Sequence, residues 1–378
     1  MRPVLLAFTE IRRAKLRFGL LAGAVGLLVF LILFQQAVLG SLITSFVGAI
    51  REQSAEVLVF GAEARTNIAG SIVLPDQQRA VAAVDGVGAL APLGEGTFTL
   101  VAAGEDTDAS IFGFQPGGPG EPTNVVEGRL PGGPGEAVAS AEDRDAGFGI
   151  GETVTTAAGG VPLTIVGLTE RSRYSAAPTL WVTFATYEDL RRAVNPDASA
   201  VLPSLLAVDP APGTTPEALA AAIEARVDGV EARTRSQAAA QARGVAQVNQ
   251  SFMVIIWLVR LVVLLVIGFF FVILTVQKQP SLTLLRAVGA PTGYLVGALG
   301  AQIAVVLGLG LILGVLVTAG ALAGASAGLP LTISPGEVAF NAALVMVLGL
   351  AGSIVAVLRV ARIDPVDAVQ RPSLGGLA

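Results

Sequence analysis

Hydrophobic residues are unevenly distributed along this chain, with four long apolar runs set apart from a mixed stretch in between. Each run is more than 20 residues long, which is enough for a helix to cross ~30 Å of hydrocarbon. We therefore predict four membrane-spanning helices, at residues 18–44, 252–276, 294–323 and 338–358.

The stretch between the first two runs contains short strand-like and helix-like segments, which predict an α+β domain. Alternating runs such as "GTFTLVAAG" and "VPLTIVGL" predict strands. The segments "DQQRAVAAVDGV" (76–87) and "PEALAAAIEARVDGV" (216–230) predict helices that end at a glycine. Both end in Val-Asp-Gly-Val and precede a strand-like stretch. We predict two helix–turn–strand units within one domain at residues 45–235.

Residues 236–276 have helix-forming composition, rich in alanine and glutamine before the second apolar run. We predict one continuous helix here, much longer than a bilayer requires at 1.5 Å per residue. Its first part would be a stalk that leads from the α+β domain into span 2.

Basic residues near the ends of the spans predict the topology, because they accumulate on the cytoplasmic side. They precede span 1, lie between spans 2 and 3, and follow span 4, whereas the loop between spans 3 and 4 has none. Both termini are therefore predicted to be cytoplasmic in a multi-pass protein of the cell membrane. Residues 45–250 would be extracytoplasmic; they contain 13 Arg and 25 acidic residues, a formal charge of −12. The predicted fold class is membrane α-helical, with an extracytoplasmic α+β domain inserted between helices 1 and 2.

The two cytoplasmic ends allow more than one interpretation. Residues 1–17 have apolar positions at helical spacing and a basic side, typical of an amphipathic helix at the lipid surface or of an ordinary positive flank. The first apolar run could also be a cleaved signal peptide, but it is longer than the usual apolar core and lacks a clear cleavage site. We predict that span 1 is retained, and that residues 359–378 form a cytoplasmic tail.

Composition excludes several kinds of chemistry. The chain has no His and no Cys, which excludes disulfides, thiolate chemistry and imidazole-based catalysis or metal binding. It also lacks the G-x-x-x-x-G-K-[ST] motif of ATP-binding loops. The hexapeptide "PGGPGE" occurs at 116–121 and 131–136, without the Lys-Ser/Thr that a phosphate loop needs, so we predict turns or a flexible insertion there. No convincing nucleophile–base pair indicates an enzyme, no cofactor is expected, and nothing indicates a nucleic-acid partner.

A few polar residues stand within or beside the predicted spans. Arg260 lies near the outer end of span 2, where it could reach the interface next to Trp257 or face a cavity or partner helix. Gln35 and Gln36 in span 1 are expected to form hydrogen bonds between helices. In span 3, Gly310 and Gly314 form a G-x-x-x-G motif, which favours close helix packing within the chain or between two copies.

The segment at residues 277–293 predicts a short cytoplasmic contact element between spans 2 and 3. Within it, "LTLLRAVGA" (282–290) would give a helix with one apolar face and one basic edge, ended by glycine and followed by proline. A soluble partner that binds this helix could move span 2. The predicted coupling residues are Leu282, Leu284, Leu285, Arg286, Ala287, Val288, Gly289 and Ala290.

Two motifs in this order resemble those of the four-span permeases of ABC transporters of the MacB/FtsX type. The family pattern "E-I-G-L-L-R-A-I-G-A" resembles "S-L-T-L-L-R-A-V-G-A" at 281–290, and the family tail resembles "RVARIDPVDAVQ" at 359–370. The tail motif includes Arg362, Asp364 and Pro365. Ser281 and Thr283 depart from the usual acid and glycine, which puts the ATPase contact of that acid in doubt.

The resemblance implies a permease subunit without catalytic activity of its own. Two copies would pair with two ABC ATPase subunits, which bind ATP and Mg²⁺, and ATP binding would move the spans and outer domains by mechanotransmission. The substrate would be a hydrophobic or amphipathic compound such as haem, a drug, a lipid or a peptide. An FtsX-like regulator, which activates an extracytoplasmic partner instead of transporting, is the alternative.

The phrase "EIRRAKLRFGLL" (10–21) is similar to the branch of this family that contains haem-efflux permeases. That likeness leaves haem open as a substrate. With neither His nor Cys, an axial ligand would have to be Met, Tyr or a carboxylate. Glu52 and Met253 are the candidates. A Met at such a position is more often a packing residue, and a Glu is more often a solvated charge.

Overall fold

The computed structural model describes residues 15–61, 64, 66–197, 200–242, 245–289, 291–324 and 335–361. The described residues form two compact units. A mixed α/β unit comprises Gly40–Gln250, and a helical unit comprises the residues up to Leu39 and the described residues from Ser251 onward.

Eight helices and ten strands of the described chain are numbered here in order. The helices are α1 Lys15–Arg51, α2 Pro75–Ala82, α3 Phe184–Val194, α4 Pro216–Arg226, α5 Arg235–Gln241, α6 Val245–Ala287, α7 Thr292–Ala323 and α8 Pro335–Ala361. The strands are β1 Val57–Gly61, β2 Val87–Ala102, β3 Glu105–Phe114, β4 Val125–Gly128, β5 Glu136–Ser140, β6 Thr153–Thr156, β7 Pro162–Thr169, β8 Thr179–Thr183, β9 Leu205–Pro210 and β10 Val230–Thr234.

The ten strands form one mixed sheet in the order β10-β1-β9-β2-β3-β8-β5-β7-β4, and β6 pairs with β2 and β7. Only β3–β8 and β5–β7 are parallel among these pairs. The long strand β2 joins the two halves of the sheet because its first part pairs with β9 and its second part with β6. The prediction of an α+β domain is thus confirmed for the mixed unit.

Both predicted helix–turn–strand units are present. Helix α2 leads through Gly86 (φ +96°) into β2, and α4 leads through Gly229 (φ +76°) into β10. Each glycine adopts the left-handed conformation that residues with a Cβ rarely tolerate. The two units also meet, since the Gln77 side-chain amide donates a 2.8 Å hydrogen bond to the Gly229 carbonyl oxygen.

Buried apolar side chains form separate cores on either side of the sheet. One core contains Phe112, Phe114 and Trp181, with the Phe112 and Trp181 rings stacked 4.8 Å apart. The other contains Phe98 and Tyr187, whose rings meet edge to face. Alternation along β2 and β3 distributes neighbouring residues between these two cores, as expected for a sheet covered on both faces.

The predicted continuous helix over 236–276 is interrupted in the structure. Helix α5 ends at Gln241, and Ala242 has an extended ψ of 144°. Helix α6 begins only at Val245, and it then continues without a break through the predicted coupling segment to Ala287. Gly244 is the one local signal of this interruption in the sequence, and Ala239 and Ala242 are buried in a core of the mixed unit. Local propensity therefore yields to tertiary packing at this point.

Three described helices contain an apolar stretch that is long enough to cross a membrane. These stretches are Lys15–Arg51 in α1, Val248–Gln277 in α6 and Val296–Ala323 in α7. Helix α8 covers the predicted fourth span, and its apolar stretch among the residues whose side chains are described is Val338–Ala351. The fourth crossing therefore stays a prediction.

Candidate functional site

The helical unit is held together by close contacts between small and branched residues. A Cβ atom added to Gly310 would lie 2.5 Å from Val25 Cγ1, and one added to Gly314 would lie 2.6 Å from Val29 Cγ1. The G-x-x-x-G motif of α7 therefore packs against α1 of the same chain. Of the two interpretations that the sequence left open, the described structure shows the intrachain one.

The polar residues of span 1 have different environments. Gln36 forms a reciprocal amide pair with Asn341 of α8: the Gln36 Nε2 donates at 3.2 Å, and the Asn341 Nδ2 donates back at 2.6 Å. Asn341 is 2% exposed. The neighbouring Gln35 has a buried Nε2 with no hydrogen-bond partner in the described part of the chain. Sequence reasoning identified Gln36 but missed Asn341, because a lone Asn in an apolar run has no partner visible in the sequence.

The amide pair should contribute measurably to the stability of the helical unit. We expect Gln36→Leu and Asn341→Leu each to lower the free energy of unfolding, with a coupling energy of about 0.6–2 kcal/mol in a double-mutant cycle. Reversible unfolding of the full-length protein in detergent would measure it. Gln277→Leu, at the exposed end of the α6 apolar stretch, is the matched control and should change little. Strictly additive effects of the two substitutions would contradict the expectation.

Arg260 lies on α6 with its guanidinium carbon 5.4 Å from the centre of the Trp257 ring. This distance fits a cation–π interaction. Trp257 itself is 62% exposed, so the pair lies at the surface of the helical unit. The Arg260 Nε has no hydrogen-bond partner among the described residues. The contact fits the interfacial interpretation of Arg260 as an anchor next to an aromatic ring.

The two candidate haem ligands belong to different units. Glu52 lies in the mixed unit, where its carboxylate is 3.4 Å from the Arg171 guanidinium. Met253 lies in the helical unit and is half-exposed. The ion pair gives Glu52 a structural explanation within its own unit, in place of the solvated charge that the sequence suggested.

The predicted coupling residues end helix α6 instead of forming a helix of their own. The backbone is helical through Ala287, and Gly289 follows with φ +100°. Leu284 and Val288 are four residues apart, and both are strongly exposed, at 69% and 83%. Two neighbouring apolar side chains at a helix end are a suitable contact for a partner. Ala290 and the tail residues Arg362, Asp364 and Pro365 lie outside the described residues, as does most of the predicted N-terminal helix.

The two "PGGPGE" hexapeptides are turns closed by their final glutamate. In the first copy the Gly117 N–H donates a 2.6 Å hydrogen bond to Glu121. In the second, the Gly132 and Gly133 N–H groups donate to Glu136 at 2.9 and 3.1 Å. Hydrogen bonds from Arg129 and these N–H groups lower the pKa of Glu136 to about 2. The backbone donors that a phosphate could have used are occupied by a carboxylate.

Comparison with known proteins places this chain in a class of membrane transport proteins. Residues 20–226 match the family model of the MacB-like periplasmic core domain, which is more than half of the chain. The chain belongs to the MacB/FtsX-type family of ABC transporter permeases. Within this family the chain has an extracytoplasmic-type domain and apolar helices long enough to cross a membrane. Permease subunits of the family are generally not catalysts.

One curated relative and two solved structures illustrate the relationship. The putative hemin transport system permease protein HrtB of Staphylococcus haemolyticus is 30% identical over 105 residues, which are 28% of this chain and 30% of that protein. The periplasmic region of MacB from Actinobacillus actinomycetemcomitans aligns over 50% of this chain and 92% of its own, with 12% identity and a TM-score of 0.36. The extracellular domain of the transporter YknZ from Gram-positive bacteria aligns over 48% and 99%, with 13% identity and a TM-score of 0.33.

Proposed function

We propose that this protein is the membrane subunit of an ABC exporter for a hydrophobic or amphipathic compound, driven by a separate ATPase. The family match over residues 20–226 carries the proposal. Two copies would pair with two ATPase subunits that bind ATP and Mg²⁺. The chain would cross the membrane four times with both termini in the cytoplasm, which leaves residues 45–250 outside.

The end of α6 supports the proposed route of coupling. The apolar stretch Val248–Gln277 and the segment up to Ala287 belong to one helix, so force applied to this end would act directly on span 2. Exposed Leu284 and Val288 provide an apolar contact for the ATPase, and Arg286 adds a positive charge between them in sequence. Mechanotransmission follows from such a contact, because a helix transmits displacement along its axis.

The coupling segment offers a direct test. We expect Arg286→Ala to reduce the stimulation of the partner ATPase by about tenfold or more, the effect of losing ~1.4 kcal/mol at the contact. Deletion of residues 284–290 should abolish it. The assay is ATP hydrolysis by the co-expressed pair in proteoliposomes. Arg79→Ala, an exposed arginine on α2 of the mixed unit, is the control and should leave stimulation intact.

Two results would overturn the proposal. One is full ATPase stimulation by the protein that lacks residues 284–290. The other is ATP hydrolysis by the purified chain alone, because its sequence contains no ATP-binding loop.

Haem is the substrate that the relative from Staphylococcus haemolyticus suggests, since that protein is named as a putative hemin transport permease. We include haem among the proposed substrates, with drugs, lipids and peptides as the others. ATP-dependent movement of each compound in the same proteoliposomes distinguishes them. A regulator of the FtsX kind would move none of them.

A further inference from the structure

A gap along one edge of β2 creates an unusual site in the mixed unit. Strand β9 pairs with β2 as far as Leu93, and β6 pairs with it only from Leu100. Between these points, side chains replace a neighbouring strand. The Glu95 N–H donates to Ser204 Oγ at 2.9 Å, and the Glu95 carbonyl accepts from Tyr187 Oη at 2.7 Å and Ser204 Oγ at 3.1 Å. The N–H and C=O groups of Glu95 thus have hydrogen-bond partners, although no strand fills the gap.

Glycines on β2 and β3 allow Tyr187 to reach this position. Added Cβ atoms on Gly94 and Gly113 would collide with the Tyr187 ring. Tyr187 is 1% exposed and belongs to the core that contains Phe98. Tyr187 therefore lines the gap in a fixed position, since both core packing and its hydrogen bond to Glu95 hold it there.

A cavity of about 350 Å³ lies at the gap. This size is within the range of small-molecule sites. Its lining combines apolar and polar side chains: Ile72, Val201 and Leu202 on the one hand, Glu95, Arg191 and Asn195 on the other. Such a mixture of an apolar wall with a few polar groups is typical of binding sites for small organic molecules.

Glu95 is the chemically unusual member of this lining. It is 5% exposed, and its Oε2 atom has no hydrogen-bond partner among the described residues. The positive charge of Arg191 acts on Glu95, without an ion pair between the two side chains in the described part of the chain. A buried carboxylate without a partner is costly and rarely kept unless something binds to it.

The surroundings of Glu95 let it ionise near neutral pH. Burial raises the pKa of Glu95 to about 7, and the positive charge of Arg191 opposes this rise. The other titratable groups that act on or respond to Glu95 are the phenols of Tyr174 and Tyr187, and burial raises the pKa of both. Both phenols therefore stay neutral while Glu95 changes its charge.

We propose that this cavity binds a small molecule that carries a protonated amine on an apolar body. The ammonium group would donate to the carboxylate of Glu95, because an ionised carboxylate only accepts hydrogen bonds. The apolar body would lie against Ile72, Val201 and Leu202. The site belongs to the mixed unit alone, and it goes beyond the proposed export function because it does not depend on the ATPase or on the exported compound.

Benzylamine, benzyl alcohol and benzoate share one apolar body and differ in the charge of the attached group, so they are suitable probes. We expect isothermal titration of the full-length protein at pH 8 to show one benzylammonium site per chain. The other two probes should bind at least tenfold more weakly. Because benzylamine stays protonated while Glu95 ionises around pH 7, its affinity should rise about tenfold from pH 6 to pH 8.

Two variants distinguish the contribution of the Glu95 carboxylate to binding from that of the cavity itself. Glu95→Gln should remove both the preference for the amine and the pH dependence, whereas the control Glu105→Gln, an exposed position on β3, should retain both. Ile72→Trp, which fills the cavity from an exposed position, should weaken all three probes. Thermal unfolding shows whether each variant is folded. If Glu95→Gln does not fold, the binding by Ile72→Trp and the pH dependence of the wild-type affinity test the proposal instead.

Equal affinity for the three probes, or amine binding that survives Glu95→Gln, would overturn the proposal. Because these titrations use the permease without its ATPase, neither result bears on the proposed export function.

Discussion

Gly314→Leu is expected to lower the free energy of unfolding of the helical unit by about 1–3 kcal/mol or more, the usual cost of overpacking a tight contact. A Cβ atom at this position would lie 2.6 Å from Val29 Cγ1 and 2.8 Å from the Gly26 carbonyl oxygen. Val29 is 3% exposed and cannot move toward solvent. Helices α1 and α7 would have to separate, because the Gly26 oxygen belongs to the backbone.

The same helix provides the control for this substitution. A Cβ atom on Gly308 meets no atom within 4 Å, so Gly308→Leu tests the helix and its composition without the contact. Reversible unfolding in detergent measures the stability of both variants. Equal stability of the two leucine variants would show that the close packing contributes little.

Trp181→Ala is expected to have the largest effect in the mixed unit, a loss of about 3–5 kcal/mol. The Trp181 ring is fully buried, stacks on Phe112 at 4.8 Å and meets Phe114 edge to face at 6.2 Å. Its removal leaves a cavity where β3 and β8 pair, and the surrounding strands cannot collapse to fill it. Trp181→Phe should recover part of the loss, since the ring contacts remain in part. Its Nε1 has no hydrogen-bond partner in the described chain, so no polar contact is lost.

Trp257, the other tryptophan of the chain, is the matched control. It is 62% exposed in the helical unit, and Trp257→Ala should change the unfolding temperature of the mixed unit little. Differential scanning calorimetry measures both variants, because after Trp181→Ala the remaining tryptophan, Trp257, would report on the helical unit only. A small effect of Trp181→Ala, comparable to that of Trp257→Ala, would contradict the structural interpretation of this core.

Local chemistry was sufficient to predict some elements of the mixed unit. Proline and glycine positions delimited α4, and alternation identified β7, because each signal depends on neighbours in the sequence. The family resemblance came from similarly short motifs, and it is confirmed by the match over residues 20–226. By contrast, the break at Ala242 was missed, since it depends on burial of the alanines in a distant core.

The sequence by itself determined that this chain has long apolar runs typical of membrane helices, with a large α+β domain inserted after the first of them. Both conclusions depend on composition and on the length of the apolar runs, which can be read from neighbouring residues in the sequence. Only the tertiary structure decided that Gln36 meets Asn341, 305 residues away, and that Glu95 is buried at a gap in the sheet, where its Oε2 has no hydrogen-bond partner among the described residues. Such contacts depend on strand register and helix packing, which bring together residues with no local relation in sequence.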